Sequence, residues 1–223
     1  MIISEETYLS NKTPRFIVLD GVNGAGKTTL QRKICEYFGS RGLKAHPTRE
    51  PGATELGKAI RSLVLTAKRE SIVDRAEMFL FAADRAQHVD TVIKPILARG
   101  EIVISDRYFY SSLAFQGFGR QYDINTIWNV NSIAIDQVVP DLVILLDLDP
   151  AAGILRNKKE GAGSTKDGPD SFEEEEISFH QRIRTGFLTL AKDRPEPFLV
   201  CDASQSAENV WQQVKVLLDR LYS

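Results

Sequence analysis

The segment that most constrains this chain is an apolar run, Phe16-Ile-Val-Leu-Asp20, that leads directly into a glycine-rich loop. The loop reads Gly21-Val-Asn-Gly-Ala-Gly26-Lys27-Thr28-Thr29 and has the spacing G-x-x-x-x-G-K-[ST]. In such a loop the backbone N–H groups turn inward around phosphates, the lysine reaches the terminal phosphates and the hydroxyl can hold Mg²⁺. Helical spacing follows, at Leu30, Ile34, Tyr37 and Phe38. The sequence therefore predicts a strand, a phosphate-binding loop and a helix in succession.

Short apolar runs alternate with longer segments of helical period, which is the pattern of a parallel α/β sheet with helical crossovers. We expect five strands, at residues 16–19, 43–47, 102–105, 142–146 and 198–201. We expect helices at residues 54–65, with Leu56, Ile60, Leu63 and Val64 on one face, and from 71 to about 100, with a bend near Pro95. Two later helices have predicted buried stripes at Phe179, Ile183, Phe187 and Leu190, and at Val210, Val214, Leu217, Leu218 and Leu221.

Composition limits the possible partners and the size of the fold. The chain has 223 residues, of which 43% are hydrophobic, so one core of good size is expected. With 28 basic and 30 acidic residues the net charge is -2, which gives no reason to expect nucleic acid or an anionic membrane as a partner. Cys35 and Cys201 have no metal-ligand spacing and are interpreted as buried free thiols, which fits a reducing cytoplasm.

The N-terminus and one internal segment are expected to lie outside the packed core. Residues 1–13 are interpreted as a flexible extension, and polar Ser4, Glu5 and Glu6 stand where a signal peptide needs its apolar region. Residues 157–170 combine glycines and lysines with almost nothing apolar. An ordinary surface loop explains this composition, but a mobile lid that excludes water from a phosphate-transfer site explains it as well. We interpret residues 14–223 as one domain with a lid at about 156–172.

A second group of polar residues follows the predicted third strand, in Ile102-Val-Ile-Ser-Asp106-Arg107-Tyr108. The carboxyl ends of parallel strands are where such sheets bind ligands. Asp106 can orient Mg²⁺, and Arg107 can bridge two phosphates and stabilise the charge that develops between them. The alternative is an Asp–Arg pair that ties the strand to a helix.

Two further segments suggest a nucleobase pocket. The first, Thr48-Arg49-Glu50-Pro51-Gly52-Ala53-Thr54, precedes a helix that carries Arg61. The second places Phe81 and Arg85 one helical turn apart, so that a ring could stack on a base while a guanidinium bonds its edge. Taken alone, Phe81 would be a core residue and Arg85 a surface ion-pair partner. Taken together, the segments favour the pocket.

The order of five motifs resembles the bacterial-type thymidylate kinases of the P-loop nucleoside monophosphate kinase group. The motifs are FIVLDGVNGAGKTT, TREPGATELGKAIR, LFAADRAQH, DRYFYSSLAFQGFGR and PDLVILLDLDPAAG, and the likeness covers nearly everything after residue 14. The resemblance implies a three-layer P-loop kinase fold, a five-stranded parallel sheet flanked by helices, with a mobile lid. It also implies transfer of the γ-phosphoryl group of ATP to dTMP, a requirement for Mg²⁺, and a cytoplasmic homodimer.

The resemblance also implies a role for each residue that matches a motif. Catalysis is expected of Lys27, Arg107 and Arg156. ATP binding is expected of Gly21, Asn23, Gly24, Ala25, Gly26, Lys27, Thr28 and Thr29, with residues 202–205 near the adenine. The residues expected to bind dTMP are Glu50, Pro51, Arg61, Phe81, Arg85, Arg107, Ser111, Ser112 and Gln116. The metal is expected at Thr28 and Asp106.

Some positions depart from the family pattern, and two other functions stay open. Asn23 is neutral where an acidic residue is usual, Ser171 replaces an arginine, and Phe115 stands where tyrosine is common. A kinase of the same fold with another deoxynucleoside monophosphate as acceptor remains possible. So does a P-loop ATPase switch, although the chain lacks an LSGGQ-like segment.

Overall fold

A central sheet of five parallel strands organises the molecule. The computed structural model describes residues 13–66, 71–160, 164–165, 168–169, 172 and 175–223. The strands are β1 (Phe16–Gly21), β2 (Ala45–Arg49), β3 (Ile102–Asp106), β4 (Leu142–Asp147), β5 (Ser164–Thr165), β6 (Gly168–Pro169) and β7 (Phe198–Asp202). The sheet order is β2-β3-β1-β4-β7, while β5 and β6 form a separate antiparallel pair. The expected five-stranded α/β fold is confirmed.

Helices cover both faces of this sheet, so its central strands are buried almost throughout. The helices are α1 (Lys27–Ser40), α2 (Glu55–Thr66), α3 (Asp74–His88), α4 (Lys94–Ala98), α5 (Phe109–Ser112), α6 (Ile124–Ile135), α7 (Pro150–Glu160), α8 (Ile177–Asp193) and α9 (Ala207–Leu221). Two π-helical segments, Val89–Ile93 and Leu113–Gly119, follow α3 and α5 without a break. Helix α1 packs against α9. Helix α4 contacts β3, helix α5 contacts β1, and helix α8 contacts β4.

The second strand begins two residues later than the prediction of 43–47. Leu43 belongs to the end of α1, because its backbone N–H donates to the Phe38 carbonyl at 3.0 Å. Gly42 supplies the left-handed conformation that such a helix end requires, with φ 73. The strand therefore runs from Ala45 to Arg49. Pro47 is tolerated there because β2 is an edge strand.

Two helix predictions need correction. The helix predicted from 71 to about 100 is a continuous helical run from Asp74 to Ala98, but it widens to a π-helical segment at Val89–Ile93 and is therefore not α-helical throughout. Pro95 lacks an N–H and crowds the carbonyl four residues earlier, so the wider turns just before it relieve the clash. In α2, Ile60 and Val64 are buried, but Leu56 and Leu63 are about half exposed and do not belong to the core.

The C-terminal helices follow the predicted pattern, whereas the lid prediction is only partly covered. All four predicted stripe residues of α8 are buried, and so are Val210, Val214 and Leu218 of α9, while Leu217 and Leu221 are partly buried against the core. The start of the expected lid is helical, because α7 continues to Glu160. The expected N-terminal extension, except for residue 13, and residues 161–163, 166–167, 170–171 and 173–174 lie outside the described residues. None of the helices in the described ranges has the length and apolar character that a bilayer crossing needs.

Candidate active site

The glycine-rich loop joins β1 to α1 at the carboxyl end of the sheet. Gly26 adopts a left-handed conformation with φ 93, and α1 begins at the next residue. A cavity of about 690 Å³, which we call the donor cavity, lies over this loop. Its lining includes seven of the eight residues expected to bind ATP, which are Asn23, Gly24, Ala25, Gly26, Lys27, Thr28 and Thr29. Gly21 does not line this donor cavity, but its carbonyl accepts hydrogen bonds from Lys27 and Arg107 at 3.2 Å and 3.0 Å.

The Lys27 ammonium is held inside the loop. Its Nζ donates to the carbonyls of Gly21 and Val22 at 3.2 Å and 3.0 Å. Burial, together with the nearby positive charge of Arg107, lowers the pKa of Lys27 to about 8. The amine is therefore still mostly protonated at neutral pH, and phosphate oxygens would favour the charged form further.

Two glycines allow the loop to lie directly against α7. A Cβ atom added to Gly24 would lie 2.3 Å from the Gly153 carbonyl oxygen, and one added to Gly153 would lie 2.3 Å from the Asn23 carbonyl oxygen. Both contacts are far shorter than van der Waals contact. The backbone of the loop is thus fixed by the helix that leads into the expected lid.

The two expected metal ligands lie side by side. Asp106 ends β3, and the Thr28 hydroxyl donates to its Oδ2 at 3.3 Å. Both residues line the donor cavity. Hydroxyl and carboxylate oxygens are the ligands that Mg²⁺ prefers, and it usually takes its remaining ligands from phosphates and water. The residues present therefore fit a magnesium ion that is bound together with a nucleotide.

Arg107 lies between the glycine-rich loop and a second cavity. Its Nη1 donates to the Gly21 carbonyl and to the Ser111 hydroxyl at 3.0 Å and 2.9 Å, and its Nη2 donates to Asn23 Oδ1 at 2.6 Å. Its backbone is left-handed, with φ 73, which is costly for a residue with a side chain. Hydrogen bonds from its N–H to Leu19 and from Ser105 to its carbonyl hold that conformation.

A buried carboxylate, Asp20, supports this arginine. Its Oδ1 accepts from the Ser111 hydroxyl at 2.6 Å and lies 3.4 Å from Arg107 Nη1. Among the described residues no group bonds its Oδ2, and the side chain is fully buried. Burial raises the pKa of Asp20 to about 6, although the Arg107 charge opposes the shift. Sequence reasoning gave Asp20 no role, because it read as the last residue of an apolar strand.

The second cavity, of about 110 Å³, adjoins the donor cavity. All nine residues expected to bind dTMP line it: Glu50, Pro51, Arg61, Phe81, Arg85, Arg107, Ser111, Ser112 and Gln116. Asn23, Leu65, Phe115 and Phe172 complete the lining. We call this the acceptor cavity. Four residues line both cavities, namely Asn23, Glu50, Arg61 and Arg107.

Arg85 reaches the acceptor cavity from a buried network of charges. Its Nε donates to Glu50 at 2.8 Å, and its Nη1 donates to Ser112 at 3.0 Å and to Asn131. The other oxygen of Glu50 lies 2.8 Å from His88 Nδ1. These bonds occupy Nε and Nη1 of the guanidinium. Arg85 is thus a buried residue with a fixed orientation, not a surface ion-pair partner.

Asp84 lies close to Glu50. Its Oδ1 accepts from the Gly52 N–H at 3.1 Å, and no described group bonds its buried Oδ2. Burial and the neighbouring Glu50 charge raise the pKa of Asp84 to about 6. Helical spacing held a signal for these residues, because Glu77, Phe81, Asp84, Arg85 and His88 share one side of α3. Sequence reasoning used only Phe81 and Arg85.

Aromatic rings form one wall of the acceptor cavity. The Phe172 ring lies 6.1 Å from Phe81 and 5.7 Å from Phe115, between ring centroids. Phe172 falls within the segment expected to be a lid, and it is buried. Sequence reasoning did not place it in the pocket, because its neighbours in the chain are polar.

Arg156, the expected lid arginine, lines the donor cavity. Its Nη1 donates to the Ala203 carbonyl at 2.9 Å and its Nη2 to the Ser204 carbonyl at 3.4 Å. The guanidinium therefore lies against the loop that follows β7, where adenine is expected. Gln205 of the same loop also lines the cavity.

Comparisons with known proteins show the family to which this chain belongs. The family model described as thymidylate kinase matches residues 19–214. The thymidylate kinase of Solidesulfovibrio magneticus is 44% identical over 208 residues, covering 91% of this chain and 100% of that protein. The one from Carboxydothermus hydrogenoformans is 42% identical over 207 residues, covering 93% and 98%. The crystal structure of thymidylate kinase from Ehrlichia chaffeensis superposes with a TM-score of 0.72 at 30% identity, covering 91% of this chain and 97% of that one. This chain belongs to the thymidylate kinase family.

Proposed function

We propose that the protein transfers the γ-phosphoryl group of ATP to dTMP, producing dTDP and ADP. The observation that carries the proposal is the position of Arg107, which lines both the donor cavity and the acceptor cavity and bonds the glycine-rich loop between them. A phosphoryl transfer needs two anions end to end with positive charge at their junction. Family membership favours thymidylate as acceptor over the other deoxynucleoside monophosphates, and favours a kinase over an ATPase switch.

On the donor side, we assign phosphate binding to Lys27 and the N–H groups of the glycine-rich loop. Thr28 and Asp106 would hold Mg²⁺, which neutralises phosphate charge when bound. Arg107 would then contact the transferred group, since its guanidinium is always charged and can bond two oxygens at once. Gly21, Asn23, Gly24, Ala25, Gly26 and Thr29 shape the loop around the phosphates.

On the acceptor side, we assign thymine stacking to Phe81 and base-edge hydrogen bonds to Arg85, Ser112 and Gln116. Arg61, whose Nη1 donates to the Pro51 carbonyl at 3.2 Å, lies beside the Glu50–Pro51 turn and completes the side facing the donor. Ser111 and Arg107 lie where the acceptor phosphate would approach. Each of these groups is buried or partly buried, so little reorganisation is needed when the acceptor enters.

We further propose that Arg156 contributes to catalysis by turning toward the transferred phosphate when the lid closes. Its present bonds are to two neutral carbonyls. A phosphate oxygen is a stronger, charged acceptor, so the guanidinium gains by exchanging partners. Closure over the site would also exclude water, which a kinase must do to avoid hydrolysing ATP.

The decisive experiment supplies ATP and Mg²⁺ with a panel of monophosphates and measures the labelled diphosphate formed. We expect dTMP to be the best acceptor and hydrolysis without an acceptor to be slow. Rapid turnover of another monophosphate with dTMP and dUMP both poor would instead support the alternative acceptor. Fast ATP hydrolysis that no monophosphate accelerates would support the ATPase alternative.

We also propose that the protein is a cytoplasmic homodimer. The free cysteines Cys35 and Cys201 are compatible with a reducing compartment. Apolar side chains project from α2 and α3, which pack together, at Leu56 (49% exposed), Leu63 (51%) and Phe79 (54%). Exposed apolar residues on adjacent helices are typical of a protein interface.

Light scattering during gel filtration tests the dimer. We expect Phe79→Glu to lower the measured mass to that of a monomer. Val216→Glu is a matched control, because Val216 is 52% exposed but lies on α9. A monomeric mass for the unmodified protein, or the same loss of mass in both variants, would contradict this interface.

A further inference from the structure

A buried carboxylate, Glu77, lies behind the acceptor cavity without lining it. Glu77 is on α3, one turn before Phe81, and only 6% of its surface is exposed. Carboxylates are rarely buried to this degree unless they are paired. The two partners of Glu77 connect it to the cavity and to the segment beyond the expected lid.

The first partner is Gln116, which lines the cavity and is 2% exposed. The Gln116 amide donates from Nε2 to Glu77 Oε1 at 2.8 Å. An ionised carboxylate can only accept hydrogen bonds, so it fixes which end of the amide faces it. The NH₂ group turns to Glu77, and Oε1 is the end that remains for a ligand.

The second partner is Arg120, which is 5% exposed in its side chain. Its Nη2 lies 3.3 Å from Glu77 Oε2, and another nitrogen pairs with Glu175. The guanidinium also lies 5.3 Å and 4.6 Å from the ring centroids of Phe172 and Phe179. The backbone N–H of Arg120 donates to the Phe115 carbonyl at 2.9 Å. Arg120 therefore also closes the π-helical segment that carries Gln116.

We propose that Glu77, held by Arg120, is a positioning residue that makes the Gln116 amide a hydrogen-bond acceptor toward the base. The pocket then selects pyrimidines that carry a proton on the ring nitrogen N3, which are thymine and uracil. Cytosine presents a lone pair at that position, so two acceptors would face each other. The proposal rests on dTMP being the acceptor and adds the group that sets its selectivity.

The substitution Glu77→Gln tests this directly. A glutamine at position 77 can offer its NH₂ to Gln116, which then turns its own NH₂ toward the base. The probes are dTMP and 5-methyl-dCMP, which share the sugar and the methyl group and differ only at the base edge. We expect the ratio of kcat/KM for dTMP to that for 5-methyl-dCMP to fall about tenfold or more, the size of one hydrogen bond. The KM for ATP should not change.

Glu77→Asp is the matched control, because a shorter carboxylate still only accepts. It should keep most of the selectivity even where kcat/KM for dTMP falls. An unchanged ratio in a folded Glu77→Gln protein overturns the proposal, and so does an equal loss of selectivity in both variants.

If Glu77→Gln does not fold, Arg120→Met provides the second test, because it removes the charge that holds Glu77 while filling the space beside Phe172. We expect the same ratio to fall, mainly through a higher KM for dTMP, and an unchanged ratio overturns the proposal. Failure of the proposed function is distinguishable, because the unmodified protein would then not phosphorylate dTMP at all.

Discussion

Replacing Gly153 by alanine sets two physical effects of opposite sign against each other. Gly153 lies in the first turn of α7 with helical backbone geometry, where glycine costs about 0.5–1 kcal/mol relative to alanine. Helix propensity alone therefore predicts that Gly153→Ala stabilises the protein. The added methyl group, however, would lie 2.3 Å from the Asn23 carbonyl oxygen.

The short contact with the Asn23 carbonyl oxygen decides whether Gly153→Ala is more or less stable than the unmodified protein. A carbon atom that approaches another heavy atom to this distance is more than about 1 Å inside ordinary contact, so the backbone must move. Overpacking of this kind costs about 1–3 kcal/mol. Most of that range exceeds the gain of about 0.5–1 kcal/mol in helix propensity. We expect a net loss of about 1–2 kcal/mol, and for a chain of this size about 2–8 °C in melting temperature. The displaced atoms belong to the glycine-rich loop, so the KM for ATP should also rise.

Thermal unfolding and steady-state kinetics measure both effects. Gly39→Ala is the matched control, because Gly39 lies in α1, is exposed, and an added Cβ would meet no atom within 4 Å. That variant should be slightly more stable than the unmodified protein, with the same KM for ATP. If Gly153→Ala melts at or above the temperature of the unmodified protein and binds ATP equally well, the contact between α7 and the loop is not the constraint we describe.

Two further substitutions test the charged groups of the site. Arg107→Ala should lower kcat by about 10³-fold or more, the scale of an arginine that stabilises a transferred phosphoryl group, and near-normal turnover in single-turnover assays would refute that role. Asp84→Asn tests the raised pKa of Asp84, which is about 6. A carboxyl with a raised folded-state pKa contributes stability below its unfolded value, near 4, and loses it as the pH rises through 6. Asparagine has no proton to lose, so the free energy of unfolding of Asp84→Asn relative to the unmodified protein should increase by up to about 3 kcal/mol from pH 4 to pH 8. Denaturant titrations at the two pH values check this, and an equal difference at both would contradict the assigned shift.

The sequence was sufficient wherever the signal is local. The glycine-rich loop, the three central strands and the stripe of α8 each depend on residues a few positions apart, and the structure confirms those elements. The acceptor cavity was also within reach, because its residues come from motifs whose order matches a family. Leu43 shows the limit of apolar patterning, since the same residue serves a helix end as well as a strand.

Contacts between distant residues could not be predicted in this way. Arg85 and Asn131 are 46 positions apart, and only the packing of α3 on α6 brings them together. Arg120 pairs with Glu175 from 55 positions away, and nothing in the local sequence of either residue indicates this contact. Leu56 and Leu63 have the spacing of a core stripe, and periodicity cannot tell a stripe that faces the core from one that faces solvent or a partner.

The buried charges around the acceptor cavity are better explained by orientation than by stability. Burying Glu50, Asp84 and Arg85 removes them from water, and well-packed apolar residues in their place would often give an equally stable fold. What apolar residues cannot do is hold the Arg85 guanidinium at a fixed angle beside the acceptor cavity. The raised pKa values of Asp20 and Asp84 and the left-handed backbone of Arg107 are costs of the same kind. All of these residues line the acceptor cavity or lie next to its lining, where we propose that the phosphates and the base are held in place.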